Sequence, residues 1–415
     1  MLETIKIALR NLTRYKRRSI LTGLIIALGV AAVIIFSGVS GTFKRVMIGQ
    51  ITDSMLGHLQ VHRAGYVSSI ESLPLDRNIQ PKAYDKLVGL LESDAAIEAF
   101  SPRLKLAAML SNYETTTNVR LNGVDPDKEM AVAPDLVKRV MDRPESGRLP
   151  ARGEILIPDF LAKGMQVKVG DTVVLVAHNK DGSVNGLNLK VAGTVENVTG
   201  PGGRDGYIHI RDAAELLRLE QLEISEVALR LKDFDRLKEA SAELSTTLRE
   251  IKNQKGQPLF EVHAWDQLTP FSNIVGMIDL MAVFIQVILI SVVLVSVLNI
   301  MIMSVYERVR EIGTIAAIGV SPGRILFLFL TEGLALGVLG SLAGAVLGGG
   351  VIGIIGLTGV DVTFGRNQVF SLFPTVDPKQ MLYSCLMVIV VSALAALQPA
   401  YKASRLEPVD ALRHV

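Results

Sequence analysis

The sequence predicts an α-helical membrane protein with four transmembrane helices and an α+β periplasmic domain, and three observations predict it. Four apolar runs lie along a chain of 415 residues, lysines and arginines collect beside them on one side, and the long segment between the first two runs reads as globular sequence. Bulk composition, with 49% hydrophobic residues, fits a soluble protein equally well, so clustering decides. A net charge of +2 gives no global basic field, and nucleic acid is not indicated as a partner. The one cysteine, Cys385, lies inside an apolar run and excludes internal disulfides and Cys-based zinc sites.

The first run, Ile20 to Val39, is placed as a span at 19–41. It reaches the ~20 residues needed to cross and no clear small-x-small cleavage site follows, so it reads as a retained anchor rather than a signal peptide. The second run, Leu280 to Val305, belongs to a span at 273–305 long enough to project beyond the hydrocarbon core. The third, Ile325 to Leu357, spans 325–357, and the fourth, Met381 to Leu397, spans 381–399.

Basic residues set the orientation. Lys6, Arg10, Arg14, Lys16, Arg17 and Arg18 precede the first span, Arg308, Arg310 and Arg324 lie between the second and third, and Lys402, Arg405 and Arg413 follow the fourth. Short cytoplasmic loops retain such residues, so both termini and the 306–324 turn are expected in the cytoplasm. The 42–272 segment and the 358–380 loop then lie outside, and 400–415 forms a cytoplasmic tail. Leu2, Ile5, Leu9 and Leu12 recur at helical spacing opposite Lys6, Arg10 and Arg14. Residues 1–18 therefore read either as an amphipathic helix on the inner leaflet or as topology signals alone.

The third span carries Gly333, Gly337, Gly340, Gly344 and Gly348, a small-residue pattern that favours close packing against another span of the same chain. Glu332, an acid near a helix end with no evident partner, is expected to snorkel towards the cytoplasmic face, and a proton relay is the weaker reading.

Within 42–272, the ends and the middle differ. His58 to His62 reads as a strand, Pro81 to Leu91 as a helix and Asn118 to Asn122 as a strand; Glu226 to Leu231, Phe234 to Ile251 and Leu259 to Ala264 repeat that order. Two β-α-β units at 42–124 and 225–272 predict a split ferredoxin-like porter module. Between them, 125–224 reads as a small β-rich insertion, with strands expected at Gly153 to Ile157, Val167 to Asp171 and Leu187 to Val198 and a turn at Gly200 to Gly203.

Signatures of chemistry are missing. No G-x-x-x-x-G-K-[ST] phosphate loop occurs in these residues, and Ser, His and Asp show no nucleophile-elbow spacing. His58 and His62 share one face of a strand without a third ligand in view, and read as core or surface histidines rather than a zinc site. The chain reads as non-catalytic, with no cofactor of its own.

Two motifs carry a family resemblance. Residues 299–322 read N-I-M-I-M-S-V-Y-E-R-V-R-E-I-G-T-I-A-A-I-G-V-S-P and resemble the cytoplasmic end of the FtsX-like permease module, where E-R-x-x-E-I-G-x-x-x-A-x-G follows the second span. Glu307, Arg308, Glu311, Ile312, Gly313, Ala317 and Gly319 occupy those places, with Arg310 and Pro322 in the same segment. At the other end, Pro399, Ala400, Ala403, Pro408, Ala411, Leu412 and Arg413 match the family's P-A-x-x-A-x-x-x-x-P-x-x-A-L-R tail, and Ala8 to Leu12 resembles its N-terminal stretch.

The resemblance implies a MacB-type, mechanotransmitting ABC transporter permease. In that arrangement two permease subunits, alike or different, pair with a dimer of ABC ATPase subunits that bind the ATP and Mg, and Glu307 to Pro322 forms the coupling helix seated in the ATPase. The Gly57 to His62 stretch resembles the G-H-[IL]-Q-[IV] of the lipoprotein-releasing, LolC/LolE-like branch. Having no nucleotide-binding domain among its 415 residues, the chain is unlike the macrolide exporters. Implied partners are the ATPase, membrane lipid, a lipoprotein or other amphipathic cargo, and a periplasmic carrier or adaptor. Alternatives are a tripartite efflux permease and an FtsX-like regulator of a cell-wall hydrolase.

Overall fold

A computed structural model describes residues 10, 16–141, 148–197, 205–253, 255–268, 271–364 and 368–407. In chain order the principal elements are α1 (Lys16–Ile51), β1 (Leu59–Arg63), α2 (Pro81–Ser93), β2 (Ile97–Ser111), β3 (Thr116–Val124), α3 (Pro126–Val132), β4 (Val140–Met141), β5 (Glu154–Pro158), α4 (Asp159–Gly164) and β6 (Thr172–His178). They continue with β7 (Val184–Val195), β8 (Asp205–His209), α5 (Ile210–Leu216), β9 (Glu226–Leu231), α6 (Leu237–Arg249), β10 (Phe260–Ala264), α7 (Phe271–Glu307), α8 (Val309–Ala317), α9 (Pro322–Thr358), β11 (Val360–Phe364), β12 (Gln368–Leu372) and α10 (Pro378–Ser404). The chain divides into a helical unit, 1–46 with 277–415, and an α+β unit, 47–276.

In the α+β unit, β1, α2, β2, β9, α6 and β10 form a split β-α-β pair with strand order β10-β1-β9-β2, all neighbours antiparallel. That order is what two interleaved β-α-β crossovers produce. Pro81 opens α2 at its first turn, where its missing N–H breaks no bond, and Leu87 and Leu91 bury the inner face as Leu244 and Leu248 do for α6.

The strand that closes the first crossover is β2, not the expected Asn118 to Asn122, which lies in the next strand, β3. Strand alternation is hidden in β2 because Ser101 to Leu104 are buried on both faces. Nor is Val167 to Asp171 a strand: Val167 N–H bonds to Ala162 O and Asp171 N–H to Lys168 O, which makes it a turn that delivers the chain into β6. Gly200 to Gly203 and the end of the 187–198 segment lie outside the described residues.

The inserted strands do not form a separate sheet. β2 pairs β3, β3 pairs β8, β8 pairs β5, β5 pairs β7, β7 pairs β6, and β6 returns to the last three residues of β2, so the ladders close into a six-stranded barrel. At 15 residues, β2 is shared: Ile97–Arg103 face β9 and Arg103–Ser111 face β3. Leu106, Leu110, Leu121, Ile155, Ile157, Val173, Leu175 and Leu189 are buried in one core with the crossover helices.

A charged cluster sits where the two parts share β2. Arg103 on β2 binds Glu129 of α3 at 2.7 Å and Glu226 of β9 at 3.1 Å, and Glu226 also meets Lys105 at 2.8 Å and His62 at 3.5 Å. Glu129 and Glu226 are buried, and Ser101 donates to Glu129 at 2.7 Å. Burial pushes the Glu226 carboxyl up, but Lys105, the neighbouring His62 and Arg103 outweigh it and hold it well below the usual carboxylate range. His58 and His62 are both core side chains; His58 Nδ1 accepts from the Leu231 N–H at 3.0 Å.

In the helical unit, α1, α7, α9 and α10 are each long and apolar enough to cross a membrane. At 37 residues and 1.5 Å per residue, α7 is about 55 Å long, well beyond a ~30 Å hydrocarbon core. The glycine stripe of α9 serves two neighbours. Gly333 lies against Ala396 of α10, and a Cβ at Gly337 would come 2.8 Å from Ser392; one at Gly340 would meet Ile26 of α1 at 2.6 Å, one at Gly344 the Ala27 carbonyl at 2.6 Å, and one at Gly348 Ala31 at 3.1 Å. Glycine is required wherever backbones approach this closely.

The α1–α7 seam begins with Gly29 against Val293 and becomes polar farther along, where Gln286 Nε2 donates to Ser37 Oγ at 2.7 Å and Lys44 pairs with Asp279 at 2.7 Å. Elsewhere α7 keeps Leu280, Phe284 and Val292 exposed at 71%, 66% and 59%, so that face is apolar. The 358–380 segment, expected as a loop, contains the β11–β12 hairpin. Except for Arg10, the N-terminal amphipathic pattern lies outside the described residues.

Candidate coupling site

The motif after the second span folds into a short helix between two sharp turns. α7 ends at Glu307, Arg308 leaves helical geometry at φ −112°, ψ 14°, and α8 begins at Val309. Gly319, at φ +95°, reverses the chain, and Ser321 in extended geometry places Pro322 in the first turn of α9. A residue with a Cβ would be strained at the Gly319 position, and proline suits a helix start because its N–H is not needed.

Arg308 ties these pieces together. Its Nε donates to Glu311 at 3.1 Å on α8, a terminal guanidinium nitrogen donates to Glu332 at 3.1 Å on α9, and the guanidinium lies 5.3 Å from the Phe329 ring. Arg308 and Glu332 are only 5% and 6% exposed. Glu332 therefore does not snorkel to a surface; its partner is an arginine 24 positions earlier, brought alongside by the reversal at Gly319. A planar donor fork can bridge two carboxylates in a way that a lysine cannot.

The remaining motif residues separate by face. Ile312 and Gly313 are buried against the bundle, while Glu307, Arg310, Ala317 and Gly319 are exposed and Pro322 stands exposed at the start of α9. Ile318, at the end of α8, is 78% exposed and was not singled out from the sequence, since its spacing resembles that of any core isoleucine. Of the C-terminal motif, Pro399, Ala400 and Ala403 are buried in the bundle core, and Pro408, Ala411, Leu412 and Arg413 lie outside the described residues.

Four apolar helices, an α+β unit inserted between the first two and a charge-clamped turn between the second and third define a membrane permease subunit with an external domain. Comparison with known proteins places it further. Residues 19–247 match the MacB-like periplasmic core domain and residues 283–408 the FtsX-like permease C-terminal domain, so the chain belongs to the ABC transporter permeases of the LolC/MacB type. It is similar to the lipoprotein-releasing system transmembrane protein LolC of Neisseria meningitidis, at 24% identity over 94% of this chain and 92% of that one. It is also similar to the ABC transporter permease YknZ of Bacillus subtilis, at 24% identity over 100% and 99% of the two chains. A third relative is the macrolide export ATP-binding/permease protein MacB 2 of Aeromonas hydrophila, 28% identical over 99% of this chain and 60% of that protein.

Proposed function

We propose that this permease converts ATP hydrolysis by a partner ATPase into movement of its external domain, and thereby releases lipoproteins or other amphipathic cargo from the inner membrane. In this reading the termini and α8 are cytoplasmic, α8 seats in the ATPase, and a second permease subunit completes the assembly. The observation that carries it is the Arg308 clamp. An exposed helix face bearing Arg310 and Ile318 is tied through Arg308 to Glu332, so displacement of α8 passes to α7 and α9 rather than being absorbed in a loose turn. These residues contain no phosphate loop, and ATP and Mg are bound by the partner. The similarity to LolC supports a lipoprotein cargo.

Replacing Glu311 and Gly313 together tests the coupling. In vesicles containing the permease and its ATPase, the double variant is expected to keep ATP hydrolysis and lose cargo release; release at the original rate would remove the coupling assignment. The export reading has its own support in the similarity to MacB 2. Co-purification of an adaptor with an outer-membrane duct, in place of a lipoprotein, would select it.

A further inference from the structure

Beside the coupling turn, the ends of α7 and α10 enclose a groove of about 370 Å³ that the clamp does not use. Ile302, Val305 and Leu406 form an apolar wall, and Tyr306 and Tyr401, 71% and 49% exposed, stand at its rim. The charged groups lining it are Lys402 and Arg405, both exposed, with no acid beside them in the lining. Neither forms an ion pair among the described residues, and Arg405 is held 4.7 Å from the Tyr401 ring. An apolar slot capped by two exposed cations and two tyrosines, at the end of two membrane-crossing helices, has the chemistry of an interfacial lipid site.

We propose that this groove binds one glycerophospholipid with a net negative headgroup, the phosphate at Lys402 and Arg405 and an acyl chain along the Ile302 and Val305 wall. Charge complementarity argues for this occupant: a zwitterionic headgroup would bring its own cation to two fixed positive groups, and a soluble anion would leave the apolar wall in water. Assignment to the cytoplasmic leaflet rests on the orientation proposed above; binding in micelles depends neither on orientation nor on cargo release, so either proposal can fail alone. A lipid there would link membrane composition to the seat of the motor, since Val309 of α8 contributes to the same groove.

Native mass spectrometry of the full-length chain in detergent, titrated with phosphatidylglycerol or phosphatidylcholine of matched acyl chains, tests this. Phosphatidylglycerol is expected to bind at least about tenfold more tightly than phosphatidylcholine, and Lys402→Gln with Arg405→Gln to abolish the difference, since each cation near a membrane surface contributes about a factor of five. Lys402→Arg should retain the preference, and it keeps the test decisive if the double variant fails to fold. Glycerol phosphate alone should not bind at the same concentrations; if it competes fully, the site takes free phosphate and the lipid assignment falls. Equal binding of the two lipids overturns the proposal. So does unchanged phosphatidylglycerol binding in a double variant that no longer retains the ATPase, which would assign the groove to that partner.

Discussion

Glu226 and Glu332 show how differently single residues can be read. Glu226 occurs at the start of an alternating strand, and its side chain is buried with Arg103, Lys105 and His62 around it. Glu226→Gln keeps the shape and removes the charge, leaving the buried Arg103 with one carboxylate and the half-buried Lys105 with none among the described residues, and is expected to lower stability by about 3–5 kcal/mol. Denaturant unfolding of the detergent-solubilised chain followed through Trp265, which lies in the same unit, measures it; a change below ~1 kcal/mol would show that solvent reaches the cluster. Glu332 was legible as an acid in an apolar run but its partner was not, because Arg308 becomes a neighbour only when the chain reverses at Gly319. Ile318 was invisible for the opposite reason: exposure is a property of the folded surface.

At the scale of elements, α9 is the most strongly determined by its own sequence and the strand β2 the least. The glycine spacing of α9 announces close packing, and the structure adds that Gly333 and Gly337 serve α10 while Gly340, Gly344 and Gly348 serve α1. Gly344→Leu is expected to part α9 from α1 and destabilise the bundle by about 1–3 kcal/mol or more, as overpacking does. Gly353→Leu, on the same helix with nothing within 4 Å of its added Cβ, should be tolerated. Thermal aggregation of the two variants in detergent, compared by size-exclusion, separates them; equal losses would mean that α9 tolerates glycine replacement equally at both positions. In β2, alternation disappears where the strand is covered on both faces, so its two-fold role in sheet and barrel had no local signal.

At the scale of the whole molecule, the titrating groups of the α+β unit make its stability fall in acid. Burial, with the neighbouring His62, lowers the His263 pKa, so the folded chain binds fewer protons there than the unfolded one, and stability present above about pH 6.5 is lost as pH falls. Glu226, held well below its unfolded value near 4.3, adds a second loss below about pH 4. The unfolding midpoint of the full chain should therefore decline from pH 7.5 to 5 and drop more steeply below 4, and the Glu226→Gln variant should lack the steeper limb. A flat profile over that range would contradict the burial of both groups. Sequence alone carries the four spans, the insertion between the first two, the second β-α-β unit and the family motifs, because hydrophobic length, period and turn chemistry act locally along the chain. Long-range contacts close the inserted strands into a barrel on β2, divide the glycine stripe between two helices and clamp Arg308 to Glu332. Each of these depends on residues far apart in sequence meeting at van der Waals or hydrogen-bond distance, where no local pattern records the partner.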